Sequence, residues 1–442
     1  VTLDELKQAV AEGTVDTVLL AIADMEGRLQ GKRLTAQHFL EDTVEHGAEG
    51  CNYLLAVDVD METVGGYAMS SWDTGYGDFE MVPDLETLRP VPWLPGTALL
   101  MADLQWADGR EVVASPRQIL RRQLARLEER GMGANAATEL EFIVFRDTYE
   151  EAWKKGFHEL EPANLYNIDY SLLGTARVEP LIRRIRNEMS AAGMKVENSK
   201  GECNLGQHEI NFHYTDALRC ADDHAIYKNG AKEIAAQEGQ AITFMAKFNE
   251  REGNSCHIHC SLTGADGSNA FAADEKLYEH YLAGQLACMR ELTLLYAPHV
   301  NSYKRFALGS FAPTAIAWGR DNRTCSLRVV GEGQSLRVEN RLPGADVNPY
   351  LALAALIAAG LHGIDEELPL EPVFEGDAYK SDKPRVPHNI YEAREAFAAS
   401  EVAAAAFGAE VVEHYLNRAT VEIDAFEAAV TDWERFRGFE RL

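Results

Sequence analysis

The chain has 442 residues, with 70 aspartates and glutamates against 42 lysines and arginines, a formal net charge of −28. So acidic a surface repels phosphodiester backbones and anionic lipid, which argues against nucleic acid and against a membrane as partners. Hydrophobic residues make up 46% and charged residues 25%, the balance of a globular protein with a sizeable core and room for two or three domains.

Residues 1–10 carry Asp4, Glu5 and Lys7 and lack the basic-then-apolar pattern of a signal peptide. The seven cysteines are scattered without regular spacing, as reduced thiols in a cytoplasmic protein would be. Short strands are expected at 17–23 and 52–59, separated by Gly-containing turns. Pro83, Pro90, Pro92 and Pro95 then punctuate an extended joint. A strand at 98–104 comes next, and then a helix with complete signals: Ser115 as N-cap, Pro116 in the first turn, an apolar stripe of Ile119, Leu120, Leu124 and Leu127, and Gly131 as the stop. This divides the chain into a small mixed domain at 1–107 and a larger one at 108–442. Helical patterns are expected at 217–237 and 279–296, with an alanine-rich one from Pro349. The nearly apolar run 349–360 is too short to span a bilayer. The common phosphate loops are absent. Gly31-Lys32 is followed by Arg33 with Glu26 upstream, and the Gly331-x-Gly333 start has Leu336 where its last glycine belongs.

Four segments read as strands with ionisable side chains on one face. Glu139 and Glu141 share a face within 138–145, and Glu209 alternates with His208 and Ile210 within 206–212. His257, His259 and Ser261 align within 256–262, and Arg337, Glu339 and Arg341 within 336–341. Any one of these is accounted for by a solvated sheet face. Together, with bulky apolar neighbours that need burial, they fit a sheet curved around an interior that holds cations. Buried carboxylates require counter-charge, and metal ions supply it.

The candidate ligands are Glu139, Glu141, Glu202, Glu209, Glu339 and His257. This oxygen-dominated set suits Mg2+ or Mn2+, two or more per site, rather than a thiolate zinc centre. In the segment Cys256-His257-Ile258-His259-Cys260 the cysteines of an extended strand face away from the histidines, so one ion would not take all four. Six arginines lie further along: Arg305, Arg320, Arg323, Arg328, Arg337 and Arg341. They outnumber the acids nearby and point to a bound polyanion. On residues alone the reading is ATP-dependent phosphoryl transfer to an anionic substrate.

Several ordered motifs then resemble the glutamine synthetase family. They are Glu139-Leu-Glu141, Glu202 to Glu209 through Gly206-Gln207, His257-Ile-His259, Asn301-Ser-Tyr-Lys-Arg305, Ala312-Pro313, Arg320-Asp-Asn-Arg323, Arg337-Val-Glu-Asn-Arg341 and Asn348-Pro349-Tyr350. They cover almost all of the larger domain, and the smaller one only through Met81-Val-Pro-Asp84. The resemblance implies an α+β fold, with a small β-grasp-like N-terminal domain and a larger catalytic domain whose curved antiparallel sheet is flanked by helices. It also implies hexameric rings, stacked as a dodecamer, with active sites between neighbours.

By family role, Glu141, Glu202 and Glu209 would hold one metal ion, and Glu139, His257 and Glu339 the second. Arg323 would assist phosphoryl transfer, with Glu339 beside it. His259, Ser261, Arg328 and Arg337 would sit on the ATP side, and Gly253, Arg305 and Arg341 would position glutamate. The implied chemistry is phosphorylation of the glutamate side-chain carboxylate by ATP, followed by attack of an amine on the acyl phosphate.

The departures fall on the amine side. Ammonia-using members carry a flap glutamate six residues beyond the arginine of Asn301-Ser-Tyr-Lys-Arg305. Here Phe311 stands there, in Gly309-Ser-Phe-Ala-Pro313. The glycine-rich loop before the histidines is shortened to Arg251-Glu-Gly-Asn-Ser255, and the N-terminal Asp-Gly-Ser-Ser loop is not reproduced around Asp58 to Gly66, where Asp60 or Glu62 would have to serve. An aromatic ring lines an alkylamine pocket but accepts no proton. The leading expectation is therefore a ligase for an organic amine, a polyamine or ethanolamine. Ordinary glutamine synthesis from ammonia is the alternative, and a non-catalytic ring-forming relative the third.

Overall fold

The computed structural model describes all 442 residues. Six strands form the first sheet: β1 (Thr17–Ala23), β2 (Leu29–Thr35), β3 (Ala48–Cys51), β4 (Asp78–Pro83), β5 (Arg89–Pro90) and β6 (Thr97–Gln105). Their order is β2-β1-β6-β4-β3, with β5 beside β6. β1 and β2 make an antiparallel hairpin, while β1 runs parallel to β6. This parallel central pair is the β-grasp-like arrangement. The sheet's own core gathers Leu6, Val18, Leu20, Phe39, Phe79 and Leu100.

The second sheet has nine strands: β7 (Met132–Phe145), β8 (Val196–Gly201), β9 (Gln207–Phe212), β10 (Thr215–Asp216), β11 (Ala241–Thr243), β12 (Cys256–Gly264), β13 (Trp318–Arg320), β14 (Leu327–Val330) and β15 (Arg337–Asn340). Its main path is β13-β14-β15-β12-β7-β9-β8, and the long β7 also pairs with β10 and β11. All pairs are antiparallel except β13–β14, which runs parallel at one end. The expected curved antiparallel sheet is therefore present, with this one parallel pair at its edge making it mixed.

Helices pack on this sheet. The helix Ala217–Gln237 has the expected bounds, and Pro116–Glu128 and Pro349–Asp365 begin at their prolines. The helix expected at 279–296 starts earlier, at Glu275, because the Asp274 side chain accepts from the backbone N–H groups of Lys276 and Leu277 and caps it there. Ser115 precedes its helix in an extended conformation, but its hydroxyl makes no capping bond.

The alanine-rich helix from Pro349 is buried on nearly all sides and lies against Glu275–Tyr296. A Cβ on Gly284 would stand 2.1 Å from the carbonyl oxygen of Ala359, so the two backbones meet where no side chain fits. No helix is long and apolar enough to cross a membrane.

The expected strand at 52–59 does not form. Residues Asn52–Leu55 make a 3-10 turn, and the only pairing beyond it is an isolated bridge from Val57 to Thr63. Asn52 explains the turn: its side chain donates to Met69 O at 3.2 Å and accepts from the Ser70 hydroxyl at 2.6 Å, fixing a compact loop.

Two buried ion networks tie the first sheet to the rest of the chain. The Arg117 guanidinium, 1% exposed, reaches Asp84, Asp103 and Asp222 at 2.7, 2.6 and 2.9 Å. Glu26 pairs with Arg418 at 2.6 Å and with His299 at 3.1 Å. Burial and Arg418 oppose a charge on His299, but Glu26 and Glu422 outweigh them and raise its pKa to about 9. His299 stands just ahead of the turn Asn301–Arg305, so this network anchors the segment that delivers Arg305.

Candidate active site

The sheet's register assembles the site. On neighbouring strands His257 stands opposite Glu139, His259 opposite Glu339, Glu141 opposite Glu209, and Arg328 opposite Glu339. Alternation sends Cys256, Ile258 and Cys260 to the core face, each essentially inaccessible, and the histidines to the other. The cysteines therefore take no part in the polar cluster.

Two trios result. Glu139, His257 and Glu339 bring one ligand atom each to within 4.8 Å of one another, and Glu141, Glu202 and Glu209 do the same. His257 Nδ1 lies 3.2 Å from Glu139 Oε2 and 3.4 Å from Glu339 Oε1. Glu339 is wholly buried and also accepts from Arg328 Nη1 at 2.8 Å and Arg341 Nη1 at 2.7 Å. Burial favours its protonated form, but His257 and Arg341 more than offset that and hold its pKa below the ordinary glutamate value. Burial also keeps the His257 imidazole below its usual range, with Arg341 adding to the effect.

The second trio is less neutralised. Burial, together with Glu139 and Glu141, pushes Glu209 up to about 8. The backbone N–H of Ser255 donates to Glu141 Oε2 at 2.7 Å, and Gln207 Nε2 lies 3.2 Å from the same oxygen. A crowd of carboxylates that cannot all ionise without counter-charge is the donor set of a hard divalent cation, so the residues fit such ions.

One cavity of about 610 Å³, open to solvent, collects most of the expected residues. Both trios line it, together with Gly253, Arg305, Phe311, Arg323, Arg328 and Arg341. Gly253 has no room for a side chain: a Cβ would stand 2.3 Å from the oxygen of Ala246 and 2.7 Å from Arg305 Cγ. Burial lowers Arg305 to about 10, and its Nη2 donates to the carbonyl of Leu342. Arg323 is half exposed, and its one ion pair, to Asp321, is long at 3.9 Å, so its guanidinium stays open to the cavity. Phe311 is exposed, with φ at +59°, and its carbonyl accepts from Arg341 Nη2 at 3.2 Å. Tyr379 donates its hydroxyl to the next carbonyl, Ala312 O, at 2.8 Å, bracing that loop from beneath.

His259, Ser261 and Arg337 fall elsewhere, in an adjoining cavity of about 460 Å³. Glu139 lines both cavities and marks the boundary. His259 Nε2 lies 3.0 Å from Glu139 Oε1, and Arg337 Nε donates to His259 Nδ1 at 3.3 Å. Of the six arginines, Arg328 is taken up by Asp321 and Glu339, while Arg320 lies exposed on the edge strand and lines neither cavity.

The sequence reasoning missed Asp169, Tyr170 and Lys200, all in the wall of the larger cavity. The first two sit in an irregular stretch with no periodicity to read. Lys200 had one available signal, its alternation with Asn198 and Glu202 on the polar side of a short strand.

A carboxylate trio and a carboxylate–histidine trio thus lie on one face of a mixed sheet, beside the buried Arg305 and Arg341. The chain belongs to the glutamine synthetase family, whose catalytic-domain model matches residues 113–437. It is 64% identical to the γ-glutamylethanolamide synthetase of Streptomyces coelicolor, over 100% of this chain and 96% of that protein. It is also 37% identical to a glutamate–isopropylamine ligase from a Pseudomonas species, over 98% and 97%. Among solved structures, a GmaS/ADP complex superimposes with a TM-score of 0.86 at 28% identity, covering 98% of this chain and 99% of that one.

Proposed function

We propose that this chain is an ATP-dependent ligase joining the side-chain carboxylate of glutamate to an organic amine, with ethanolamine as the acceptor. One observation carries the reading: both carboxylate-bearing trios and the buried Arg305 and Arg341 converge on a single cavity. The whole-length likeness to an ethanolamide-forming synthetase supports ethanolamine over a polyamine.

In this reading Arg305 and Arg341, with the close backbone at Gly253, supply the positive charge that positions the glutamate carboxylates. ATP enters the adjoining cavity past His259, Ser261 and Arg337. Its phosphates reach Arg328 and Arg323 at the boundary that Glu139 forms. The glutamate side-chain oxygen attacks the terminal phosphorus and ADP departs. Arg323 spreads the charge on the moving phosphoryl group. The neutral amine nitrogen then attacks the acyl carbon, the acyl–phosphate bond breaks, and the proton the nitrogen gives up passes to the departing phosphate. Glu141, Glu202 and Glu209 would hold one divalent ion and Glu139, His257 and Glu339 a second, Mg2+ or Mn2+, supplying charge neutralisation for the phosphates. Phe311 offers an aromatic wall to the alkyl part of the acceptor.

The same reading takes residues 1–107 and 108–442 as the two domains, a cytoplasmic setting, and assembly into hexameric rings stacked as a dodecamer. Light scattering would measure the assembly. The activity is tested by phosphate release from ATP with Mg2+ and glutamate, with ammonium, ethanolamine, putrescine and spermine added separately and products identified by mass. Turnover with ethanolamine supports the reading. Turnover with ammonium alone replaces it with glutamine synthesis, and no amine-dependent turnover replaces it with a non-catalytic ring.

A further inference from the structure

Lys200 places an ammonium group of the protein's own inside the larger cavity. Its Nζ contacts Glu202, lies 3.9 Å from Glu209 Oε1 and 4.0 Å from Asp169 Oδ1, and sits 4.8 Å from the centroid of the Tyr170 ring. The side chain is only 20% exposed, and its backbone position is fixed by pairing opposite Glu209 in the β8–β9 register. Three carboxylates and an aromatic face are the elements that recognise a small cation. Here a lysine fills that nest. A carboxylate has two oxygens with several lone-pair sites, so Glu202 serves Lys200 with one edge while keeping the other for its trio.

We infer that Lys200 is a specificity-determining residue that occupies the place in which a free ammonium ion would be neutralised. This rests on the ligase reading above and deepens it. An ammonium ion entering this cavity meets a carboxylate nest that Lys200 already partly neutralises, and it gains less there than it would from an empty one. An organic amine brings a second source of binding, its carbon chain, for which Phe311 offers apolar surface in the same cavity wall. Selectivity then comes from a cation that removes the advantage of the smaller substrate, a repulsive element as well as an attractive one.

The experiment is a competition. Wild type, Lys200→Ala, Lys200→Met and Lys200→Arg are each given ATP, Mg2+, glutamate and equal concentrations of ammonium and ethanolamine, and the ratio of glutamine to γ-glutamylethanolamide is read by mass spectrometry. The ratio is independent of how much enzyme in a preparation is active. Lys200→Ala and Lys200→Met are expected to shift it at least about tenfold toward glutamine, with the KM for ammonium falling, while Lys200→Arg keeps the parental ratio. A ratio that stays at the wild-type value in both uncharged variants overturns the inference, whatever happens to their rates. If the wild type makes no ethanolamide at all, the ligase reading fails first and the inference with it.

Discussion

Arg341 Nη1 lies 2.7 Å from Glu339 Oε1, in a pair with side-chain exposures of 3% and 0%. A charge pair so far from water holds only because each partner is also satisfied elsewhere: Glu339 by Arg328 and His257, Arg341 by the carbonyl of Phe311. Removing the carboxylate strands the buried Arg341 guanidinium, while Arg328 keeps Asp321. Glu339→Ala is therefore expected to cost about 3–5 kcal/mol of stability, read as a lowered Tm, and to abolish amine-dependent ATP turnover. A variant with the parental Tm would mean that the pair is solvated.

Glu209 gives the protein a pH signature. Its folded value of about 8 lies above the 4.5 of an unconstrained glutamate, so the folded state binds the extra proton. The stability this lends is complete below about 4.5 and is lost as pH rises through about 8. Chelator-treated protein should thus melt at a lower temperature at pH 8.5 than at pH 6.5. Added Mg2+ should raise Tm more at the higher pH, because the ion replaces the proton as counter-charge. Equal metal-induced shifts at the two pH values would contradict this.

His299 shifts in the same direction: Glu26 and Glu422 raise it to about 9 against the pull of burial and Arg418. Its contribution is complete below the ordinary imidazole value of 6.5 and fades as pH climbs through about 9. Glu26→Ala leaves Arg418 and His299 facing each other and should destabilise by about 3–5 kcal/mol. The KM for glutamate should rise as well, since the network anchors the turn that bears Arg305. Denaturant unfolding and steady-state kinetics on one preparation separate the two effects.

Phe311→Glu returns a carboxylate to the mouth of the cavity. Turnover with ammonium is expected to rise and kcat/KM for ethanolamine to fall by about tenfold, as an apolar wall becomes a charged one. Unchanged preference for ethanolamine would place the acceptor away from this loop.

Gly253→Ala tests the close approach at Arg305. A methyl group there collides with a backbone oxygen, which cannot rotate away, so the loop or the arginine must shift. The expected result is a KM for glutamate raised at least about tenfold with the KM for ATP little changed, because the clash lies on the glutamate side of Glu139.

Much of this site was legible in the sequence because a strand's period of two sorts side chains by face without any knowledge of its neighbours. Glu139, Glu141, His257 and Glu339 emerged that way, and so did the exclusion of Cys256 and Cys260. Pairing was not legible. That His259 lies opposite Glu339 while His257 lies opposite Glu139 depends on β12 running between β7 and β15, a choice made by tertiary packing. Strand alternation does not show the boundary that sends His259, Ser261 and Arg337 into a second cavity; only the family resemblance set them apart, on the ATP side. Residues 52–59 were misread because Leu54, Leu55 and Ala56 suit a buried turn as well as a strand, and the deciding bonds run from Asn52 to residues seventeen and eighteen positions away. Asp169 and Tyr170 reach the cavity on an irregular segment, where no repeat announces which side chains face inward.

The two cavities share Glu139, Asn198 and Asn211 as a common wall, and each opens to solvent on its own. A chamber with two doors imposes no queue. Neither ATP nor glutamate has to pass through the room the other occupies, so saturating one should not block entry of the other. If ATP takes the smaller cavity as proposed, spent nucleotide has an exit that does not wait for the finished amide. Initial-rate patterns should accordingly intersect, and each product should inhibit chiefly against the substrate whose door it uses.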